Sequence, residues 1–238
     1  METSIDNTML GIIAAVIVGA IIILIIFWKK FFSVQKDTVL LTGLMDAGKT
    51  TIFTQLVSKN VDYSSTVQTY SSMIENTVQL NIKGKIRKVT DFPGNDRLRR
   101  KLFDSYLHSK SVLKIVFVID SVTFSKNARD VAELLYDIAL ENVSKAPILI
   151  ACHKQDHSLA KTEKVIRNSL EKEIGFINKS RSASLMSTDG SETRRATLTD
   201  NGVDFKWEDL KKQQIDFATT SSHSDDFGVQ EIVSFVKN

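Results

Sequence analysis

Eight residues early in the chain, Gly43-Leu44-Met45-Asp46-Ala47-Gly48-Lys49-Thr50, fit the pattern G-x-x-x-x-G-K-[ST] without a gap. Thr38 to Thr42 before them are β-branched or apolar. The residues after them carry Ile52, Phe53, Leu56 and Val57 at helical spacing. The loop therefore lies where a strand turns into a helix, a context that commits the chain to an α/β fold. Its glycines let the backbone curl around an anion, and the N–H groups of the new helix N-terminus point at that anion with the favourable end of the dipole. In such a loop Lys49 reaches the β- and γ-phosphates of a nucleoside triphosphate and the Thr50 hydroxyl ligates Mg²⁺.

A second feature restricts the other end of the fold. Residues 9–28, MLGIIAAVIVGAIIILIIFW, form a run of twenty without a charge. At about 1.5 Å per residue such a helix spans about 30 Å, the thickness of a bilayer's hydrocarbon core. A cleaved signal peptide has a basic beginning and a small-residue cleavage site, whereas here Glu2 and Asp6 precede the run and Phe27-Trp28-Lys29-Lys30 ends it. Lys29, Lys30 and Lys36 follow the run and no basic residue precedes it, which places the short N-terminus outside and the large domain in the cytosol. The expected organisation is a short lumenal N-terminus (1–8), a transmembrane helix (9–28), a basic linker (29–37) and a domain from 38 to 238.

From Lys29 onward 31 basic residues face the 26 acidic ones that remain once Glu2 and Asp6 are set aside. That excess suits acidic partners or anionic lipid rather than nucleic acid. One cysteine, Cys152, excludes an internal disulfide and fits a reducing compartment. His153 and His157 are four apart, but at a strand end and loop rather than on a helix face, so they do not suggest a metal site.

Beyond the phosphate loop, Asn60 to Tyr70 reads as a polar loop. Val78, Leu80 and Ile82 alternate, Lys83-Gly84-Lys85 turns, and Ile86 to Val89 lead into Asp91-Phe92-Pro93-Gly94: a hairpin that delivers an acidic residue to a strand end. Asp91 there holds the Mg²⁺ water shell and Gly94 offers its N–H to the γ-phosphate. Leu98 to Ser109 reads as a basic amphipathic helix, Leu113 to Asp120 as a buried strand, Ser125 to Asn142 as a helix, Ala146 to Cys152 as another buried strand and Thr162 to Ile174 as a helix. From Asn178 to Asn201 the composition turns polar, reading as a mobile insertion; it contains Arg194-Arg195-Ala196-Thr197, a tetrapeptide like a kinase site. Val203 to Trp207 alternates like a strand, Ile215 to Thr219 is a last strand and Val229 to Lys237 a closing helix. Strands alternating with helices after a phosphate loop predict a doubly wound, mostly parallel sheet with its ligand at the strand ends.

Gly43 to Thr50, Asp91 to Gly94, His153-Lys154-Gln155-Asp156 and Ser221-Ser222 stand in the order found in Ras-like small GTPases, which the chain resembles from Thr38 to its end. Within that class FVIDS at Phe117, DVAELLYD at Asp130, LIACHKQD at Leu149 and LEKEI at Leu170 are similar to the membrane-anchored, Arf-like family of signal recognition particle receptor beta subunits. The resemblance implies a P-loop GTPase that binds GTP or GDP with Mg²⁺ at Gly43, Leu44, Met45, Asp46, Ala47, Gly48, Lys49, Thr50, Thr51 and Gly94. It adds Gln68 and Thr69 from the switch, Thr69 being the Mg²⁺ ligand with Thr66 as runner-up. At the base end it implies His153, Lys154, Asp156, Ser221 and Ser222. Asp156 would accept from guanine N1 and N2, the Lys154 stem would lie along the base, and the Ser222 N–H would meet guanine O6.

Three positions depart from the family pattern: His153 replaces Asn, Ser222 replaces Ala, and Asn95 stands where most members place a water-orienting Gln, so hydrolysis is expected to be slow or partner-dependent. The implied partners are the receptor's alpha subunit and, indirectly, the signal recognition particle, the ribosome and the translocation channel. Membrane lipid would be met through the anchor, nucleic acid would not be bound directly, and the location would be the endoplasmic reticulum membrane with a single pass. The alternative is an Arf-like GTPase switch of vesicle trafficking.

Overall fold

The computed structural model describes residues 3–31, 36–58, 74–186, 197–199, 205–210, 213–223 and 228–237. It divides into two compact units, Met1–Gln35 and Lys36–Asn238. The first holds helix α1 (Thr3–Phe31), 29 residues long, on which Ile12, Val16, Ile23 and Phe27 are more than half exposed. A helix thus covers the whole uncharged run. Among the residues whose side chains are described no helix is long and apolar enough to cross a membrane, since within α1 these form an unbroken stretch only over 11–25.

The second unit is built on six strands: β1 (Thr38–Thr42), β2 (Asn76–Ile82), β3 (Lys85–Asp91), β4 (Val112–Asp120), β5 (Ile148–His153) and β6 (Ile215–Thr219). Their order is β2-β3-β1-β4-β5-β6. β2 runs antiparallel to β3, and every other neighbouring pair is parallel. Helices α2 (Lys49–Ser58), α4 (Phe124–Glu141) and α5 (Glu163–Met186) lie between strands, with a short α3 (Arg99–Leu102) before β4, and α6 (Gln230–Lys237) follows β6.

The period of two along each strand assigns side chains to opposite faces. Ile115, Phe117 and Ile119 of β4 enter a core with α4 and α5, while Val116 and Val118 enter another with Ile52 and Leu56 of α2 and Ile232 and Val236 of α6. Both faces are covered, which is why β4 and β5 read as continuous apolar runs.

Three expectations are corrected. The amphipathic segment after Asn95 is not one α-helix: it is a 3₁₀ turn (Asp96–Leu98), then α3, then a π-helical turn (Phe103–Leu107) closed by His108 N–H donating to Phe103 O at 2.9 Å. Leu102 and Leu107, five apart, are both buried, and the wider π turn brings them to one side. The expected polar insertion starts too early, because α5 runs to Met186 and Asn178 is fully buried within it. Tyr136 Oη donates to Asn178 Oδ1 at 2.8 Å, and the Leu198 N–H donates to both groups at 3.2 Å. These bonds replace the water that the composition suggested. Residues 187–196 and 200–204, including all of the kinase-like tetrapeptide except Thr197, lie outside the described residues. Finally, Phe205 and Lys206 form no strand, and Trp207 opens a 3₁₀ turn (Trp207–Asp209). The aromatic alternation there serves a stack instead: Trp207 meets Phe205 and Phe217 edge to face at 5.4 and 5.2 Å.

Candidate nucleotide-binding site

Every predicted site residue that is described lies at the carboxyl ends of the parallel strands. Gln68, Thr69 and the runner-up Thr66 lie outside the described residues. Following β1, Gly43 and Gly48 have φ of +142° and +96°, and Asp46 a φ of +59°, so the loop curls as an anion cradle requires. Nothing larger than hydrogen fits at Gly43, where a β-carbon would stand 2.2 Å from the carbonyl oxygen of Val118. Gly94 lies directly against the same loop, since its β-carbon would fall 2.5 Å from Met45 N.

Lys49 is buried and its Nζ donates to Leu44 O, across the loop, at 2.6 Å. Burial pushes its pKa down to about 8 against the opposing pull of Asp91 and Asp46. Thr50 Oγ1 donates to Asp91 Oδ2 at 2.6 Å, while Asp91 Oδ1 is buried and accepts no hydrogen bond among the described residues. A buried carboxylate oxygen without a donor, beside a hydroxyl, matches the oxygen-rich, water-sharing coordination that Mg²⁺ takes next to phosphates. The two residues fit the cation.

The other end is made by His153 to Asp156 after β5 and by Thr220 to His223 after β6. A cavity of about 200 Å³ opens here, lined by Gly48, Thr51, His153, Lys154, Asp156 and Ser222 together with His157 and His223. Ser221 Oγ donates to Asp156 Oδ1 at 2.5 Å, and this bond holds the Asp156 carboxyl below the usual carboxylate range. Lys154, at φ +65°, donates from Nζ to Asp46 O of the phosphate loop and to Asp120 Oδ2, both at 2.8 Å. Burial opposes ionisation of Asp120, but Lys154 and the N–H groups of Val122 and Thr123 outweigh it and keep its carboxyl below the usual range.

His153 takes the position of the family's Asn. Its ring is 2% exposed, with Nδ1 3.0 Å from Thr220 Oγ1 and Nε2 3.2 Å from Ser222 Oγ, and its Cδ2 edge faces Gly48. Contact of this ring with a glycine thus joins the loop after β5 to the phosphate loop. Burial holds this imidazole neutral, with a pKa lowered to about 4.

Sequence reading did not single out Asp120, Gln55 or His223. Gln55 Nε2 donates to Ser222 O at 2.9 Å and ties α2 to the base end. Asp120 was the legible one, being an acidic residue ending a buried strand as Asp91 does. Asn95, expected at the water-orienting position, uses its Oδ1 to accept from Arg97 N–H at 3.0 Å, capping the 3₁₀ turn.

Cradle, cation pair and base loop, set at successive strand ends of this sheet, define the small GTPase fold. Residues 34–215 match the family described as the signal recognition particle receptor beta subunit, and the chain belongs to that family. It is 34% identical over 210 residues to the signal recognition particle receptor subunit beta of Rattus norvegicus, covering 86% of this chain and 76% of that one. The structure of the mammalian SRP receptor is similar with a TM-score of 0.70 at 29% identity, over 84% of this chain and 98% of that one. The SRb-GTP/SRX complex from Chaetomium thermophilum has a TM-score of 0.67 at 19% identity, over 84% and 98%, a likeness of fold.

Proposed function

We propose that the chain is a GTP-binding receptor subunit of the endoplasmic reticulum membrane that docks the receptor's alpha subunit while GTP is bound. Through that subunit the signal recognition particle, and with it the ribosome, would be brought to the translocation channel. The observation that carries the nucleotide choice is Asp156: an exposed carboxylate, fixed by Ser221, at the mouth of a cavity beside Lys154. Such a group accepts from the two donors of guanine's N1–N2 edge, which adenine lacks. Lys49 and the loop N–H groups would hold the phosphates, and Thr50 and Asp91 would hold Mg²⁺, which supplies charge compensation for phosphate oxygens. Lys154 and His153 orient the base loop against the phosphate loop. The membrane reading is supported by the uncharged run 9–28 and its lysine flank.

Replacing Asp156 by Asn puts a donor opposite guanine's donors. Each lost charge-assisted bond costs roughly 1.5 to 3 kcal/mol, so Asp156→Asn should lose GTP and gain xanthosine triphosphate. Equal binding of ATP and GTP by the unaltered chain overturns the assignment. Alkaline carbonate should leave the chain in the membrane pellet with its domain open to added protease; release into the supernatant overturns the anchor. The alternative, a vesicle-traffic switch, needs an anchor that withdraws from the membrane, and twenty uncharged residues argue against that.

A further inference from the structure

All parallel strands begin at the end of the sheet opposite the nucleotide site, and basic side chains gather there. The β2–β3 turn places Lys83, Lys85 and Arg87 at that end, and Lys83 holds a φ of +50° in the turn. Register aligns Lys114 of β4 with Val39 of β1, which pairs with Val89 of β3, so Lys114 lies on the same face of the sheet as Arg87. Lys114 Nζ donates to Phe235 O and sits 4.8 Å from the Phe235 ring. Burial and then the cations of Arg87 and Lys83 push its pKa below the ordinary lysine value, so the positive groups are close enough to feel one another. Asp37, an acid at this end, is already paired with Lys88 at 3.7 Å, and no ion pair among the described residues engages Lys83 or Lys85. Two apolar side chains stand exposed at this end of the sheet: Ile86, 67% exposed, between Lys85 and Arg87 in sequence and on the other face of β3, and Val143, 49% exposed, beside Ser144, whose carbonyl receives Lys36 Nζ.

We propose that this strand-beginning end of the domain, centred on the β2–β3 turn, docks onto the anionic phospholipid headgroups of a bilayer. Cations interleaved with exposed aliphatic side chains suit the boundary between headgroups and acyl chains. A nucleic acid would leave Ile86 and Val143 without a partner. The chain also enters the domain at this end: Arg87 Nη1 donates to Lys36 O at 3.1 Å, and Lys36 follows the uncharged run by eight residues. The choice of a bilayer as occupant rests on the membrane-anchor reading above.

The test uses the full chain in nanodiscs of neutral phosphatidylcholine or of phosphatidylcholine with phosphatidylserine, and reads hydrogen exchange at the amides of residues 83–88. Phosphatidylserine should slow that exchange roughly fivefold. High salt and the combined change Lys83→Glu, Lys85→Glu and Arg87→Glu should each abolish the slowing, with GTP affinity unaltered because these residues lie at the opposite end from the site. Equal exchange in the two kinds of disc overturns the docking while leaving the anchor intact. Failure of the chain to associate with neutral discs overturns the anchor and the docking together. Slowing in neutral discs by free inorganic phosphate, or by an RNA oligonucleotide, overturns the lipid assignment.

Discussion

The imidazole of His153 and the α-carbon of Gly48 are in direct apposition: a β-carbon on Gly48 would stand 2.4 Å from Cδ2 and 2.8 Å from Nε2 of the ring. Hydrogen bonds between the two ring nitrogens and the hydroxyls of Thr220 and Ser222 hold the ring in place. An unusual residue in the base loop and an obligatory glycine in the phosphate loop are thus one steric unit.

Gly48→Ala should therefore weaken nucleotide binding both through the ring contact and through the positive φ of +96°. A strained backbone of this kind costs on the order of 1–3 kcal/mol, or roughly five- to 150-fold in affinity. Adding His153→Ala should recover the part due to the ring and leave the backbone part. Nucleotide titration of the four members of this double-mutant cycle measures the coupling, and strict additivity would show that the two residues do not meet.

Stability should fall in mild acid because of His153. Its folded-state pKa of about 4 lies below the ordinary value of 6.5, so the unfolded chain takes the proton first. The contribution is fully present above about pH 6.5, is lost as pH falls toward 4, and amounts to about 3 kcal/mol at most. Asp120 and Asp156, held below the usual carboxylate range, add their losses only at lower pH. Urea midpoints from pH 7.5 to 4.5, compared with those of His153→Asn, should show the variant's profile to be flatter.

Nucleotide binding should take up a proton at mildly alkaline pH. Burial leaves Lys49 with a pKa of about 8, against 10.5 for a free lysine, so the nucleotide-free domain gains stability as pH rises between those values. Phosphate next to the amine favours the charged form, and affinity should decline as pH climbs past 8. Calorimetric titration at pH 8.5 in buffers of different ionisation enthalpy should report uptake of a fraction of a proton, and at pH 6.5 none from Lys49.

Unassisted GTP hydrolysis by the chain should not exceed about 10⁻³ per second. Asn95 is one methylene shorter than Gln and its Oδ1 is engaged with Arg97 N–H, while Met45, 54% exposed on the phosphate loop, would crowd an arginine brought in by a partner. Asn95→Ala should leave the rate unchanged and cost about 1 kcal/mol of stability through the lost cap. Single-turnover hydrolysis decides it, and a rate near 1 per second, well above the roughly 10⁻⁴ to 10⁻³ per second of an unassisted small GTPase, would contradict a holding site.

What the sequence made legible was whatever is encoded over a few neighbouring residues. The phosphate loop, the turn at Lys83-Gly84, the acid at the end of β3 and the apolar runs of β4 and β5 depend on local spacing, and the structure places each at its expected end. Asn178 shows where that stops: its environment is set by Tyr136, 42 residues away, and by Leu198, so a polar side chain in a polar stretch proved to be a buried helical one. Phe205 and Trp207 alternate as strand residues do, but Arg167 O and the Phe217 ring claim the indole instead. At the candidate site, the position of Lys154 and Asp156 after a buried strand was legible, whereas the service Asp120 gives to Lys154 emerges only when two strand ends become neighbours.

Lys154 joins Asp46 O on one side and Asp120 on the other with a single ammonium. If the two loops grip base and phosphates as proposed, a nucleotide that let go at one end would slacken the other, and departure would be one event rather than two. Asp120 gives leverage over that event from outside the cradle. A factor that hastens exchange would then have no need to enter the cradle, since drawing this carboxylate aside at the tip of β4 would free Lys154 from one of the two groups that hold it.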